Sequence, residues 1–352
     1  MLRVAHLLPN LITGGRERMV ADLCGISPHH GIEPMVIAYD PAAQGRQIAL
    51  PGIAQHHIDR RSKNFSADLS KLLSDEKVDV LHAQGHIAGA LAAHAMKEVP
   101  SIVTLHIALG QGWRWLPSIV RGLRRAQSVT AVSDDLARRF RPWSNKPIMV
   151  VPPGIDLRQY RPPGSRNLCQ PITLGIAARL HPVKRHRDVF EALRLLQDRG
   201  VPCRLLVAGQ GPEEVSLRSA AKGLNVEFSG DVSDIATWLK RLDAFVLPSD
   251  HEGTPLALIE ALATGLPCIA TDVGGVRNLL GDAGVLIARR NPAAIASAVE
   301  QLINQPGLRL QLRNAALARA EHFSLAQRAL PLLGLYHRLG APSEARTGVN
   351  GG

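Results

Sequence analysis

Short apolar runs of strand length recur along the chain with helical stretches between them, and few folds accommodate that alternation. In the first half the runs fall at 3–8, 35–39, 78–83, 101–105 and 128–132. In the second half they fall at 172–177, 204–208, 226–232 with its turn, 244–247 and 268–270. Uninterrupted apolar runs suit strands buried on both faces of a parallel sheet. Strand–helix alternation of this kind predicts doubly wound parallel sheets covered by helices. At 352 residues the chain is long enough for two such domains, each with its own core. A Pro/Gly-dense segment without helical periodicity, from Val150 to Gly164, separates the two sets of runs and reads as a linker. Helical, alanine-rich patterns follow at 292–303 and 308–321, a last helix is expected at 325–339, and the small polar residues 340–352 are expected to be disordered.

The densest chemistry lies in 245–275, FVLPSDHEGTPLALIEALATGLPCIATDVGG. A strand is followed by the turn 248–253 and then by a helix for which Thr254 is the candidate N-cap and Pro255 the first helical residue. Gly265 ends the helix, and Pro267 begins the next apolar run. In an open α/β sheet, a loop at the carboxyl end of a strand is where ligands bind. Glu252 precedes the helix and Glu260 lies two turns into it, so at helical rise they are about 12 Å apart. The helix N-terminus between them offers unpaired N–H groups and favours an anion. The plainer alternative is that Glu252 is a solvated loop residue and Glu260 a surface helix residue, and spacing alone does not decide between them.

Pro248, Ser249, Glu252, Glu260, Ala261, Ala263, Gly265, Pro267, Gly274 and Gly275 stand at fixed offsets that resemble the signature of the retaining glycosyltransferases of family four. The resemblance covers about 3–338 and is strongest over 178–275. It implies the GT-B architecture: two Rossmann-like, doubly wound parallel-sheet domains facing a central cleft. It also implies that Glu252 binds the donor sugar, Glu260 the nucleotide ribose, and Gly253 and Thr254 the donor at the helix start. The boundaries expected are 1–152 for an acceptor-side domain, 153–168 for the linker, 169–322 for the nucleotide-sugar domain, and 323–339 for a helix crossing back to the first domain.

Other positions gain meaning beside this signature. Gly14 and Gly15 form a glycine pair between a strand and a helix, where the backbone can approach a phosphate closely. Such pairs are usually structural, but the family's loop here faces the donor diphosphate and acceptor. Arg179 and Lys184, five apart on the loop after a strand, make a plausible diphosphate clamp or simply a solvated basic loop. The family's pattern of Arg and Lys at this loop favours the clamp, although Ala178 and Arg185 stand where the family has glycines. His82, His86 and His106 fall at or near strand ends. Together they could mean a metal site, but no ligand spacing supports it, and each reads singly as a hydrogen-bonded structural histidine. The family's Thr-x-His makes His106 the exception, with a contact to the donor sugar. Val232 is implied as a backbone contact to the base. Pro153 replaces an Asn of the family's pattern, while Gly154 and Asp156 match it.

Charge and composition bound the partners. The formal net charge of +11 points to an anionic partner such as nucleotide phosphate or a membrane surface. No helix-turn-helix or RNA-binding signature is present, and aromatics are only 4%, which argues against nucleic acid. Cys24, Cys169, Cys203 and Cys268 are widely spaced, with no CxxC pair. Structural zinc and a disulfide framework are therefore not expected, and a cytoplasmic location is. No apolar stretch approaches the roughly 18 residues of a spanning helix, and the first ten residues read as a strand rather than a secretion signal. The loop Gly209-Gln210-Gly211 fails the dinucleotide fingerprint because Pro212 intrudes and Glu214 replaces the third glycine. Residues 113–125 form a helical pattern with Trp113, Trp115, Leu116, Ile119, Val120 and Leu123 on one face and arginines beside it. That face is either core or a peripheral contact with an anionic membrane at its inner surface.

The expected activity is transfer of a hexosyl group from a UDP- or GDP-sugar to an acceptor hydroxyl with retention of configuration. The donor is a substrate, and neither a cofactor nor a metal is expected. The acceptor would be a surface glycan, a lipid-linked sugar or a small polyol. Three rival functions remain: glycosylation in an aminocyclitol natural-product pathway, a sugar-nucleotide epimerase of the same fold, and a binding protein that has lost catalysis.

Overall fold

The structure, a computed structural model, describes residues 1–12, 14–40, 47–109, 115–160, 162 and 171–341. The chain forms two compact units, Met1–Gly154 with Leu325–Gly352, and Ile155–Ser324.

The first unit is built on seven parallel strands: β1 (Leu2–Leu8), β2 (Ile32–Ala38), β3 (Ala54–His57), β4 (Val80–Gln84), β5 (Ser101–Leu105), β6 (Ser128–Ala131) and β7 (Ile148–Val150). Their order is β3-β2-β1-β4-β5-β6-β7. β1, β4 and β5 read as near-continuous apolar runs because both faces are covered. One face packs against the helices Phe65–Asp75, His86–Ala92 and Leu116–Arg125. The other receives Leu332, Leu333, Leu335 and Tyr336 against Val4, Leu23, Ile32, Val80 and Ile102. The last helical stretch is therefore part of this unit's core. It is two helices rather than one, Leu325–Arg328 and Leu330–Gly340. Pro331, in the first turn of the second, cannot donate a backbone hydrogen bond to continue the first.

The second unit carries six parallel strands: β8 (Ile172–Ala177), β9 (Cys203–Ala208), β10 (Val226–Gly230), β11 (Ala244–Leu247), β12 (Cys268–Thr271) and β13 (Gly284–Ile287). Their order is β10-β9-β8-β11-β12-β13. The helices His186–Asp198 and Pro292–Asn304 cover one face, and Leu256–Ala263 with Pro306–Glu321 cover the other. The chain enters this unit at Ile155 and leaves at Ser324, which pair in a parallel bridge.

In each sheet the order of strands reverses once, between β1 and β4 and between β8 and β11. Loops leaving adjacent strands in opposite directions open a crevice at the carboxyl ends, the switch point where such sheets bind ligands. The strands β3, β7 and β13 are not legible as runs. β3 reads AQHH and β7 lies beside the Pro/Gly segment, so neither carries an apolar stretch of ordinary strand length.

Candidate active site

At the switch point of the second unit, β11 ends at Leu247 and the chain turns through Pro248 and Ser249. Glu252 is buried in this turn, not solvated. Its Oε1 accepts from Lys184 Nζ at 2.7 Å and from Ser249 Oγ at 2.6 Å. A buried carboxylate needs such partners, since removing either leaves charge or polarity without compensation. The turn is fixed from several sides. Thr271 Oγ1 donates to the carbonyl of Ser249 at 2.6 Å, and the Asp250 amide donates to the carbonyl of Val183 at 2.8 Å. Arg290 forks onto Asp250 at 3.0 Å through both Nε and Nη2. Gly274, at φ +52, lies so close beneath the turn that a Cβ there would stand 1.9 Å from the carbonyl oxygen of Glu252. The Gly-Gly pair thus works by letting one loop seat against another.

Lys184 closes the loop after β8. His181 caps its short 3₁₀ turn, Pro182–Lys184, by accepting from the Val183 amide. Arg185 then adopts a left-handed backbone, φ 56 and ψ 38, at the position where a glycine was expected by resemblance. That conformation costs a residue with a Cβ roughly 1 kcal/mol. The guanidinium offsets it with a fork onto Asp188, at 2.6 and 3.1 Å, and a longer pairing with Asp250 at 3.9 Å. The geometry that glycine would adopt without strain is therefore kept. Arg179 is exposed, and its side chain makes no hydrogen bond or ion pair among the described residues. Gly209 and Gly211 let the loop after β9 pass against Ala178 and Leu180, where Cβ atoms would fall 2.0 and 2.3 Å from carbonyl oxygens. The failed dinucleotide fingerprint is thus a packing feature.

Glu260 is also buried, on the helix Leu256–Ala263, and accepts from Tyr160 Oη at 2.8 Å. Thr254 does not cap that helix. Pro255 is the N-cap, its carbonyl accepting from the amides of Leu258 and Ile259 at 3.1 and 3.4 Å. Gly253 and Thr254 are half-buried in the turn leading to it, and Val232 is half-buried against the core of this unit.

In the first unit, Gly14 is the extended N-cap of the helix Gly15–Ile26. A Cβ on Gly14 would meet Glu17 Oε2 at 2.5 Å, and Glu17 is itself buried and paired with Arg16. His106, just past β5, is partly exposed and bonds through Nε2 to Gln84 Oε1 at 2.8 Å. Its pKa is pushed down to about 3, by burial first and then by Arg16 and His86. It is a neutral imidazole at any physiological pH. His82 is fully buried and hydrogen-bonded, whereas the buried Nδ1 of His86 has no hydrogen-bond partner among the described residues and its ring lies tilted against Phe140, centroids 5.6 Å apart. Among the described residues no group of three or more His, Cys, Asp or Glu could hold a metal ion.

The helix Leu116–Arg125 buries Ile119, Gly122 and Leu123 within the first unit. Its apolar face is core, while Trp115 is exposed. Trp113 and Arg114 of that pattern lie outside the described residues, as do 163–168 of the linker, Cys169 and 342–352 of the tail. Among the described residues no helix is long and apolar enough to cross a membrane.

The structure thus joins Lys184 and Glu252 and supplies Ser249, Thr271, Tyr160 and Gln84, to none of which the sequence alone assigns a role. Ser249 sits within the signature. Thr271, Tyr160 and Gln84 have no pattern of their own, and only the fold brings them in.

Residues 171–305 match the family model described as glycosyl transferases group 1, and 13–159 match that of glycosyltransferase family 4. A GDP-mannose-dependent alpha-(1-6)-phosphatidylinositol dimannoside mannosyltransferase of Mycobacterium tuberculosis is 32% identical over 199 residues, 53% of this chain and 51% of that protein. The chain therefore spans about half the length of that relative. The lipopolysaccharide core biosynthesis mannosyltransferase LpsB of Rhizobium meliloti is 30% identical over 244 residues, 62% of this chain and 67% of that protein. Among solved structures, Anabaena Alr3699/HepE in complex with UDP and glucose superposes with a TM-score of 0.79 at 18% identity, covering 96% of this chain and 100% of that one. At that identity the likeness concerns the fold.

Proposed function

The chain belongs to the glycosyltransferases of family four, and we propose that it moves a hexosyl group from a UDP- or GDP-sugar to an acceptor hydroxyl with retention of anomeric configuration. The observation that carries this reading is the buried Glu252–Ser249 pair bonded to the half-buried Lys184 at the carboxyl end of β11, beside a helix N-terminus.

In the reaction, the bond from the anomeric carbon to the β-phosphate oxygen breaks and its electron pair goes to the phosphate. Lys184 and Arg179 lie on the loop assigned to the diphosphate, and the first turn of the helix after Gly253 adds its positive end. Fixed positive charge placed where negative charge develops is the strongest stabilisation such a site can offer. This assignment of charge compensation calls on no metal or cofactor. Glu252, paired with Lys184 and held in position by Ser249, is suited to accept from hydroxyls of the donor sugar. Glu260, steadied by Tyr160, is assigned to the ribose. In the first unit His106 is assigned to the donor sugar, and Gly14 and Gly15 to its phosphates. The acceptor oxygen bonds to the anomeric carbon on the face the phosphate leaves, and its proton passes to the departing phosphate oxygen.

The relatives named above act in phosphatidylinositol mannoside and lipopolysaccharide synthesis, which supports a lipid-linked or surface-glycan acceptor. Arg121 and Arg124, exposed on the helix Leu116–Arg125, support a peripheral contact with an anionic bilayer. The test is a transfer assay with UDP- and GDP-hexoses against lipid-linked and oligosaccharide acceptors, with the product's anomeric configuration read by NMR. Inversion, or no transfer from any nucleotide sugar, would refute the reading.

A further inference from the structure

A buried chain of polar side chains in the first unit runs from β1, β4, β5 and β6 to the helix Leu330–Gly340. Gln84, the last residue of β4, is fully buried. Its carboxamide oxygen lies 2.8 Å from His106 Nε2. Its nitrogen lies 3.0 Å from His6 Nδ1 and 3.1 Å from His82 Nδ1. His82 Nδ1 is also 2.6 Å from Tyr336 Oη, and its Nε2 is 2.6 Å from Thr104 Oγ1. Thr104 in turn lies 2.6 Å from Thr130 Oγ1.

Every member of the chain is neutral. Burial lowers His82 well below the ordinary histidine value, brings His6 to about 4, and raises the Tyr336 hydroxyl. A neutral imidazole has one donor and one acceptor nitrogen, an amide nitrogen only donates, and an amide oxygen only accepts. The protons can therefore be placed. Gln84 donates to Nδ1 of His6, whose proton then sits on a buried Nε2 without a partner among the described residues, and it shares the Nδ1 lone pair of His82 with the shorter bond from Tyr336. His82 donates from Nε2 to Thr104, which donates to Thr130. Thr130 borders a cavity of about 30 Å³, roomy enough for one water to take its own proton. At the other end, the oxygen of Gln84 accepts the Nε2 proton of His106. Turning the amide over would either set its oxygen 3.1 Å from the unprotonated His82 Nδ1 that accepts from Tyr336, two acceptors with no proton between them, or move a proton onto that Nδ1 and leave the buried Tyr336 hydroxyl with no acceptor among the described residues.

We propose that Gln84 is a positioning residue for His106: it holds the imidazole as the Nε2–H tautomer, leaving Nδ1 as an acceptor, and His82 with Tyr336 holds Gln84 in the orientation that does so. His106 then accepts from a hydroxyl of the donor sugar instead of donating to it. This last step rests on the assignment of His106 made above.

The experiment uses the full chain labelled with ¹⁵N-histidine, with each imidazole's tautomer read from long-range ¹H–¹⁵N correlations. In the wild type, His106 is Nε2–H throughout pH 5.5 to 8. Gln84→Leu removes the acceptor, so His106 becomes a mixture of tautomers, and kcat/KM for the nucleotide sugar falls about tenfold, the worth of one lost hydrogen bond. Tyr336→Phe removes the donor that keeps His82 Nδ1 unprotonated, so His82 can take the Nδ1–H tautomer, the amide can turn to accept from it, and an Nδ1–H fraction appears on His106 without substitution of any residue that touches it. An Nδ1–H His106 in the wild type would overturn the proposal. So would spectra unchanged in both variants, and if Gln84→Leu does not fold, Tyr336→Phe alone decides. Lack of transfer from any nucleotide sugar would sink the reaction reading while leaving the tautomer spectra intact, so the two failures are distinguishable.

Discussion

Lys184 Nζ donates to Glu252 Oε1 across 2.7 Å, joining residues 68 positions apart in sequence. Glu252 is the more buried partner, with 6% of its side chain exposed against 23% for Lys184. In the free protein the two neutralise each other, and a bound diphosphate would draw on the same ammonium group.

Substituting either partner should abolish most activity. Glu252→Gln and Lys184→Ala are each expected to lower kcat by two or more orders of magnitude, the scale of losing one preorganised charge. Lys184→Ala should also cost about 1–3 kcal/mol of stability, because Ser249 alone is left to satisfy the buried carboxylate. Steady-state kinetics with urea unfolding checks both. Near-wild-type turnover in the two variants would refute the assigned site.

Two glycines of the same region should respond differently to a methyl group. Gly274→Ala places a Cβ 1.9 Å from the carbonyl oxygen of Glu252 on a left-handed backbone. It is expected to cost more than about 2 kcal/mol by overpacking and strain together. Gly253→Ala meets nothing within 4 Å. Its unfolding free energy should stay within about 0.5 kcal/mol of wild type.

Tyr160→Phe deletes the hydroxyl that bonds Glu260 at 2.8 Å. Calorimetric titration with UDP and GDP should show weaker nucleotide binding by a few-fold to tenfold, since a bond to a charged group contributes about 1.5–3 kcal/mol and part of it positions the carboxylate. Unchanged nucleotide affinity would separate Glu260 from the ribose.

Stability should fall on mild acidification. Burial holds the pKa of His6 and of His186 at about 4 and that of His106 at about 3. Each is lower than in the unfolded chain, near 6.5, so the unfolded state binds more protons between those values. The contribution of these groups is fully present above about pH 6.5 and is lost as pH drops toward the folded values, by about 1.4 kcal/mol per pH unit for each histidine. Urea midpoints measured from pH 7.5 to 4.5 should decline accordingly, and a flat profile would contradict the burial of these rings.

Sedimentation with vesicles rich in anionic lipid should carry the protein down at low salt. Arg121→Glu with Arg124→Glu should abolish this, because both side chains are exposed on the helix Leu116–Arg125. Equal binding by the double variant would exclude this helix as the contact.

Much of the fold is legible in the sequence because its central strands are buried on both faces, and such strands spell continuous apolar runs. β5, β8 and β11 begin and end where the runs do. β3 and β7 are not legible, since an edge strand such as AQHH needs no apolar face. The helix after β11 starts one residue later than a Thr254 cap implies, because Pro255 supplies the first accepting carbonyl. At the site, the signature names both glutamates but not what holds them. Tyr160, Thr271 and Lys184 secure them and their turn through hydrogen bonds set by the sheet order, which no local pattern encodes. The substitution at Arg185 looks like a threat to loop geometry. The structure answers it with carboxylates at 188 and 250, one of them 65 residues away.

Tyr336 and the leucines around it are the last-made part of the first unit's core. On the ribosome, Val4, Ile32, Val80 and Ile102 must wait, uncovered on that side, until some 230 further residues have been synthesised. The second unit, whose residues are contiguous, can mature before the first is finished. Its biogenesis runs inside out, and a nascent chain stalled short of residue 330 would expose an apolar sheet face to chaperones.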